Sequence, residues 1–203
     1  MQYFSVIFLK YICVILVVSA VELCVPKQVN YRMKNSYQFI FVSLSLLFAL
    51  SCSNFRTDKE ETTRYYLVRH AEKAVDGTDD PDLSPAGQQR ALKLVTMLKD
   101  SKIERLYATS YKRTRQTLQP MADMYHLKIN IYDHQDAESI MRMIADCKGK
   151  TTVVAGHSNS IPKLANILIG EEIYQELDES NYTKMWEITK EEGKVAEHKI
   201  ITY

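Results

Sequence analysis

Four times along this chain a short run of aromatic and β-branched residues breaks off in polar groups and gives way to a helical pattern. That recurrence limits the possible folds more than any other feature. The runs are Tyr65–Val68, Ile103–Ala108, Leu127–Tyr132 and Thr151–Ala155, with the composition of buried strands. After the first comes a loop rich in turn formers, 76–82, and then a helix with Ser84 as N-cap and Pro85 at its first position. Its apolar stripe is Ala91, Leu92, Leu94, Val95 and Leu98. A second helix leads from 111–117 to near Tyr125. A third runs from Asp136 to Cys147 with Ile140, Met143 and Ile144 on one face, and a fourth from about Pro162 to Ile169. Strands that alternate with helices pair in parallel and are covered on both faces. Asn181–Thr189 and Val195–Thr202, around the turn 190–193, predict a closing hairpin. The expected fold is therefore α/β, a three-layer sandwich whose mainly parallel central sheet is flanked by helices and ends in an antiparallel hairpin.

The first fifty residues have a different character. Phe4–Val25 is apolar but interrupted by Lys10 and Glu22. A basic start at Met33-Lys34 then precedes the apolar core Phe39–Leu50 and the small residues Ser51-Cys52-Ser53, the layout of a secretory signal. Leu50-Ser51-Cys52 resembles a bacterial lipoprotein box, which implies lipidation at Cys52. The expected organisation is an upstream extension over 1–32 preceding Met33 as the true start, a lipoprotein signal over 33–52, a flexible polar tether over 53–63, and a folded domain over 64–203. An uncleaved anchor, an ordinary secretory signal or a pair of membrane helices are the alternatives. On the first reading the protein is exported and membrane-anchored, facing the periplasm.

Charge narrows the partners. Four of the 26 basic residues and one of the 25 acidic ones lie in the first fifty positions, leaving 22 against 24. That balance argues against a general nucleic-acid binder. Of four cysteines, only Cys147 falls within the expected domain, so no disulfide framework is available there. No Cys/His spacing suggests zinc, and no metal or cofactor is expected.

Three of the four strand-like runs end in residues suited to phosphate. Arg69 and His70 follow the first, Arg113 lies just beyond the second, and His157 follows the fourth within Gly156-His157-Ser158. In a parallel sheet these ends open on one edge, where such folds bind ligands. Two guanidinium groups can neutralise a phosphomonoester and hold its oxygens bidentately. One neutral imidazole can attack phosphorus in line while a second donates hydrogen bonds to the transferring group. Helix N-termini behind 109–110 and 156–158 can add backbone donors, with Ser158 as a cap and a substrate contact.

The motifs 67–73 (LVRHAEK), 83–87 (LSPAG), 109–117 (TSYKRTRQT) and 156–160 (GHSNS) resemble the histidine phosphatase (phosphoglycerate mutase-like) superfamily, in its compact branch 1 form, from about Arg64 to the C-terminus. Ala71 stands where glycine commonly follows the histidine, and Thr109 where serine is typical. The resemblance implies that His70 is phosphorylated, with Arg69, Arg113 and His157 completing the phosphate pocket.

A general acid for the leaving group must lie within hydrogen-bond reach of it. Asp133, at the end of the third run, and Glu138, in the next helix's first turn, are the candidates. Both can equally serve as helix caps, in which case neither is the acid. Arg115 is expected on the solvent side of its helix, Glu72 and Lys73 as loop charges, Trp186 in the core, and His126, His134 and His198 as incidental surface residues. The function expected is phosphohydrolysis of a small phosphorylated substrate or a phosphohistidine protein through a phosphohistidine at His70. A phosphoglycerate mutase-type phosphotransferase and an inactive phosphate-binding lipoprotein are the alternatives; oligomeric state is left open.

Overall fold

The computed structural model describes residues 61–203. The upstream extension, the signal, Cys52 and most of the tether lie outside the described residues. The elements are β1 (Thr63–Arg69), α1 (Pro85–Leu98), β2 (Arg105–Ala108), α2 (Lys112–Tyr125), β3 (Ile129–Ile131), α3 (Ala137–Asp146), β4 (Thr151–Gly156), α4 (Ser160–Ile169), β5 (Lys184–Lys190) and β6 (Glu197–Thr202). The strands form one sheet in the order β3-β2-β4-β1-β5-β6. β3, β2, β4 and β1 run parallel, and β5 and β6 are each antiparallel to their neighbour. The expected mixed α/β sandwich with a terminal hairpin is the observed one.

The central strand β1 is buried on both faces, and its alternation divides the core. Tyr65 and Leu67 pack with Ile140 and Met143 of α3 and Leu164 and Leu168 of α4. Tyr66 and Val68 pack with Leu94 and Leu98 of α1 and Leu118 and Met121 of α2. Successive side chains of a strand point to opposite faces, so each layer receives every second residue. Trp186 is buried as expected.

Local rules held at several boundaries and yielded at others. Ser84 caps α1, its hydroxyl accepting from Gly87 N–H, and Pro85 opens the helix. Leu92, assigned to the apolar stripe, is exposed, and Gly87 is buried instead. A Cβ at Gly87 would lie 2.2 Å from Glu72 O, so α1 approaches the chain after β1 more closely than any side chain allows. The third strand is three residues, shorter than expected. His126 ends α2 in the left-handed region (φ 53°) and the Leu127 N–H closes the helix on Ala122 O, which removes residue 127 from the ladder.

Among the described residues no helix is long and apolar enough to cross a membrane.

Candidate active site

Register brings the two histidines together. Arg69 pairs with Gly156 across β1 and β4, and His70 N–H donates to Gly156 O at 2.9 Å. The next residues, His70 and His157, therefore leave the sheet side by side, their ring centroids 5.5 Å apart. Gly156 is required there, since a Cβ would meet Ser160 Oγ at 2.8 Å and Ile161 Cδ1 at 2.9 Å, where α4 begins. Arg69, His70, Lys73, Tyr111, Arg113, His134, His157, Ser158, Asn159, Glu176 and Glu179 line one cleft of about 370 Å³. Arg69, Arg113, His70 and His157 thus meet in it, as the strand-end argument requires.

The neighbouring loops are fixed by the remaining residues of the arginine motif. Thr117 Oγ1 accepts from Ala71 N–H, and Gln116 Oε1 accepts from Leu83 N–H. Glu72 holds Arg90 of α1 by three hydrogen bonds of 2.7–2.9 Å. It is a loop anchor, whereas Lys73 faces the cleft. Arg115 is exposed on the far side of α2.

Hydrogen bonding sets the tautomers. His70 Nδ1 lies 2.8 Å from Ala71 O. A carbonyl only accepts, so Nδ1 carries the proton and the lone pair is left on Nε2. Burial pushes the His70 pKa down to about 4, with Arg69, Arg113 and Lys73 adding to the effect against the Ala71 hydrogen bond. His157 is lowered to about 3, first by burial and then by His70, Arg113, His134 and Arg69. Both rings are neutral at neutral pH. His157 Nε2 meets Thr109 Oγ1 at 3.0 Å, and that hydroxyl meets Thr114 Oγ1 at 2.9 Å. Thr114 spends its own proton on backbone carbonyls, at 2.8 Å to Tyr111 O and 3.0 Å to Thr109 O. The chain of donors therefore runs from His157 Nε2–H through Thr109 to Thr114.

The two arginines are held differently. Arg69 is 1% exposed; its Nη1 donates to the carbonyls of Asp178, Glu179 and Asn181, and its Nη2 to Glu179 Oε2 at 2.8 Å. Tyr182 lies beneath it, 4.2 Å from ring centre to guanidinium carbon. The bidentate grip expected of Arg69 is thus largely taken up by the 178–181 loop. Arg113 stacks on Tyr111 at 4.3 Å and touches Asp80 at 3.5 Å. In both arginines Nε is buried and without a hydrogen-bond partner among the described residues. A buried N–H left unpaired costs about 1–3 kcal/mol, and two of them belong to the arginines that line this cleft.

Three expectations are corrected. Asp133 is exposed and closes a turn, its Oδ1 accepting from Gln135 N–H. Glu138 is exposed and paired with Arg142 at 2.7 Å. Neither lines the cleft, because the N-cap of α3 is Asp136 and the helix directs Glu138 outward. Ser158 does not cap α4: its hydroxyl donates to Glu179 Oε1 at 2.7 Å, while Ser160 Oγ accepts from His157 N–H. At α2 the first N–H is taken by Asp80, which the sequence reading passed over.

The structure adds His134, Tyr111, Glu176, Glu179 and Tyr182. His134, expected as incidental surface, has its ring 5.0 Å from that of His157. The strand-end rule, extended to the third strand, would have found it. Glu176 and Glu179 lie in an aperiodic segment that carries no such signal. Glu179 is held ionised, chiefly by the Ser158 hydroxyl and further by Arg69. Among the described residues no group of three or more His, Cys, Asp or Glu is arranged to hold a metal ion.

Residues 65–135 match the model of the histidine phosphatase superfamily (branch 1). The matched segment contains Arg69, His70 and Arg113 and stops short of His157. No curated protein sequence matches the chain. Among solved structures, the protein histidine phosphatase SixA complexed with tungstate is similar at TM-score 0.55 and 18% identity, over 68% of this chain and 96% of that one. The α-ribazole phosphatase of Shigella flexneri gives 0.54 and 15%, over 69% and 96%. The mycobacterial glucosyl-3-phosphoglycerate phosphatase gives 0.51 and 12%, over 70% and 98%. At these identities the likeness is one of fold.

Proposed function

We propose that this chain is a branch 1 histidine phosphatase, a phosphohydrolase that works through a phosphohistidine on His70. The reading rests on one observation: two arginines, each with an unpaired Nε, and two neutral imidazoles line a single cleft. The substrate phosphate binds against Arg69 and Arg113, and Arg113 neutralises charge where Arg69 is shared with Glu179. His70 Nε2 attacks phosphorus in line, its Nδ1 proton held on Ala71 O throughout. His157, anchored through Thr109, presents its Nδ1 edge to the phosphoryl oxygens; the anion's charge favours a proton there against the burial, and then the cationic neighbours, that otherwise keep the ring neutral. Water then cleaves the phosphohistidine. The substrates are small phosphorylated molecules or the phosphohistidine of a protein.

His70→Ala is expected to remove both turnover of p-nitrophenyl phosphate, by at least about 10⁴-fold, and the acid-labile phosphate label on the protein. Wild-type turnover in that variant would overturn the assignment. Phosphate release against isomerised phosphoglycerate separates hydrolysis from mutase-type transfer.

A further inference from the structure

Expulsion of an alkoxide from phosphorus needs a proton, and neither Asp133 nor Glu138 is placed to give it. Glu179 is in the cleft but is held as the carboxylate by Ser158 and Arg69. His134 differs. It lines the cleft and is partly exposed, and neither ring nitrogen has a hydrogen-bond partner among the described residues. His157 is in ring contact with both His70 and His134; no such contact joins His70 to His134. The third ring therefore lines the same cleft as the nucleophile and touches the second histidine. Its loop is built for presentation. Asp133 N–H donates to Ser139 Oγ at 3.0 Å, Asp133 Oδ1 accepts from Gln135 N–H at 2.8 Å, and Tyr132 is buried on the near side. Lys73, Tyr111, Arg113, His157, Glu176 and Glu179 are the other titratable or charged groups lining the cleft around it, besides Arg69 and His70.

We propose that His134 is the general acid for leaving-group departure, with Asp133 as the positioning residue that presents it. The inference rests on the phosphohydrolase reading above. In the first step the His70 Nε2–P bond forms, the P–O bond breaks, and the imidazolium proton of His134 passes to the leaving oxygen. In the second, water attacks phosphorus and gives its proton to the now neutral His134. The P–N bond breaks and its electron pair returns to His70 Nε2, which restores both rings.

The test is kcat/KM for two substrates, p-nitrophenyl phosphate, whose leaving group needs no proton, and ethyl phosphate, whose leaving group does. His134→Gln is expected to lower kcat/KM for the alkyl ester about 100-fold and for the aryl ester by less than about threefold. Asp133→Ala is expected to show the same preference at smaller size, with its far-ultraviolet circular dichroism unchanged. Equal losses on both esters in His134→Gln would overturn the proposal. So would the leaving-group pattern appearing in Glu176→Gln instead. Retained turnover in His70→Ala would mark a different failure, that of the phosphohistidine reading itself, and would remove the step assigned to His134.

Discussion

The cleft has two walls of different making. One is the carboxyl edge of β1 and β4, where His70, Arg69 and His157 are buried, neutral or cationic, and fixed by strand register. The other consists of loops, 132–136 after β3 and the segment between α4 and β5, which carry His134, Glu176 and Glu179 partly or fully exposed. The sheet wall has most of its donors spent inward, on Ala71 O, Thr109 and the loop carbonyls. The loop wall brings negative charge to the rim. On the proposed reading, grip on phosphate belongs mainly to the sheet wall and contact with the rest of the substrate to the loop wall, and Glu179, bonded to Arg69 at 2.8 Å, joins the two.

The sharpest way to break this division is on the sheet wall. His157→Ala is expected to lower kcat/KM about 100-fold for aryl and alkyl phosphates alike, because it removes a donor to the phosphoryl group itself. A loss confined to one leaving-group class would shift His157 to the role given to His134. On the loop wall, Glu179→Gln removes an anion that competes with phosphate for Arg69. Two unit charges about 4 Å apart interact by roughly 1 kcal/mol in water, so tungstate or vanadate inhibition should tighten about fivefold. Weaker inhibition would show that Glu179 matters more as the strap on Arg69 than as a rival anion.

The smallest effect concerns stability. His70 and His157 have folded pKa values of about 4 and about 3, below the roughly 6.5 of an unfolded chain. Between those values the unfolded state binds more protons, so their contribution is intact above about pH 6.5 and is lost as pH falls toward 4 and 3. The melting temperature of a His70→Asn/His157→Asn double variant should therefore fall less between pH 7 and pH 4.5 than that of the wild type. Parallel falls would mean that the rings are not held neutral by burial.

Much of the sheet wall could be read in advance, and the reason is local. Tyr65–Val68 and Thr151–Ala155 declare themselves as strands by composition, and Arg69, His70 and His157 follow them directly in the chain, so topology alone places them. Ser84 and Pro85 fixed the start of α1 in the same way. Asp133 and Glu138, the two candidates for the acid, do not line the cleft: a residue near a strand end can turn either toward the cleft or into a cap, and only the backbone of the 132–136 turn decides which.

The sequence by itself determined the layer order, the strand ends and the identity of the groups able to grip phosphate, because strand and helix periods and chain adjacency are properties of neighbouring residues. Only the tertiary structure decided which of those groups remain available. Arg69 is engaged by carbonyls 109–112 residues further along the chain, and Glu179 reaches it from a segment with no regular period. Contacts of that kind depend on how distant, aperiodic loops settle on the sheet edge, and no local pattern encodes them.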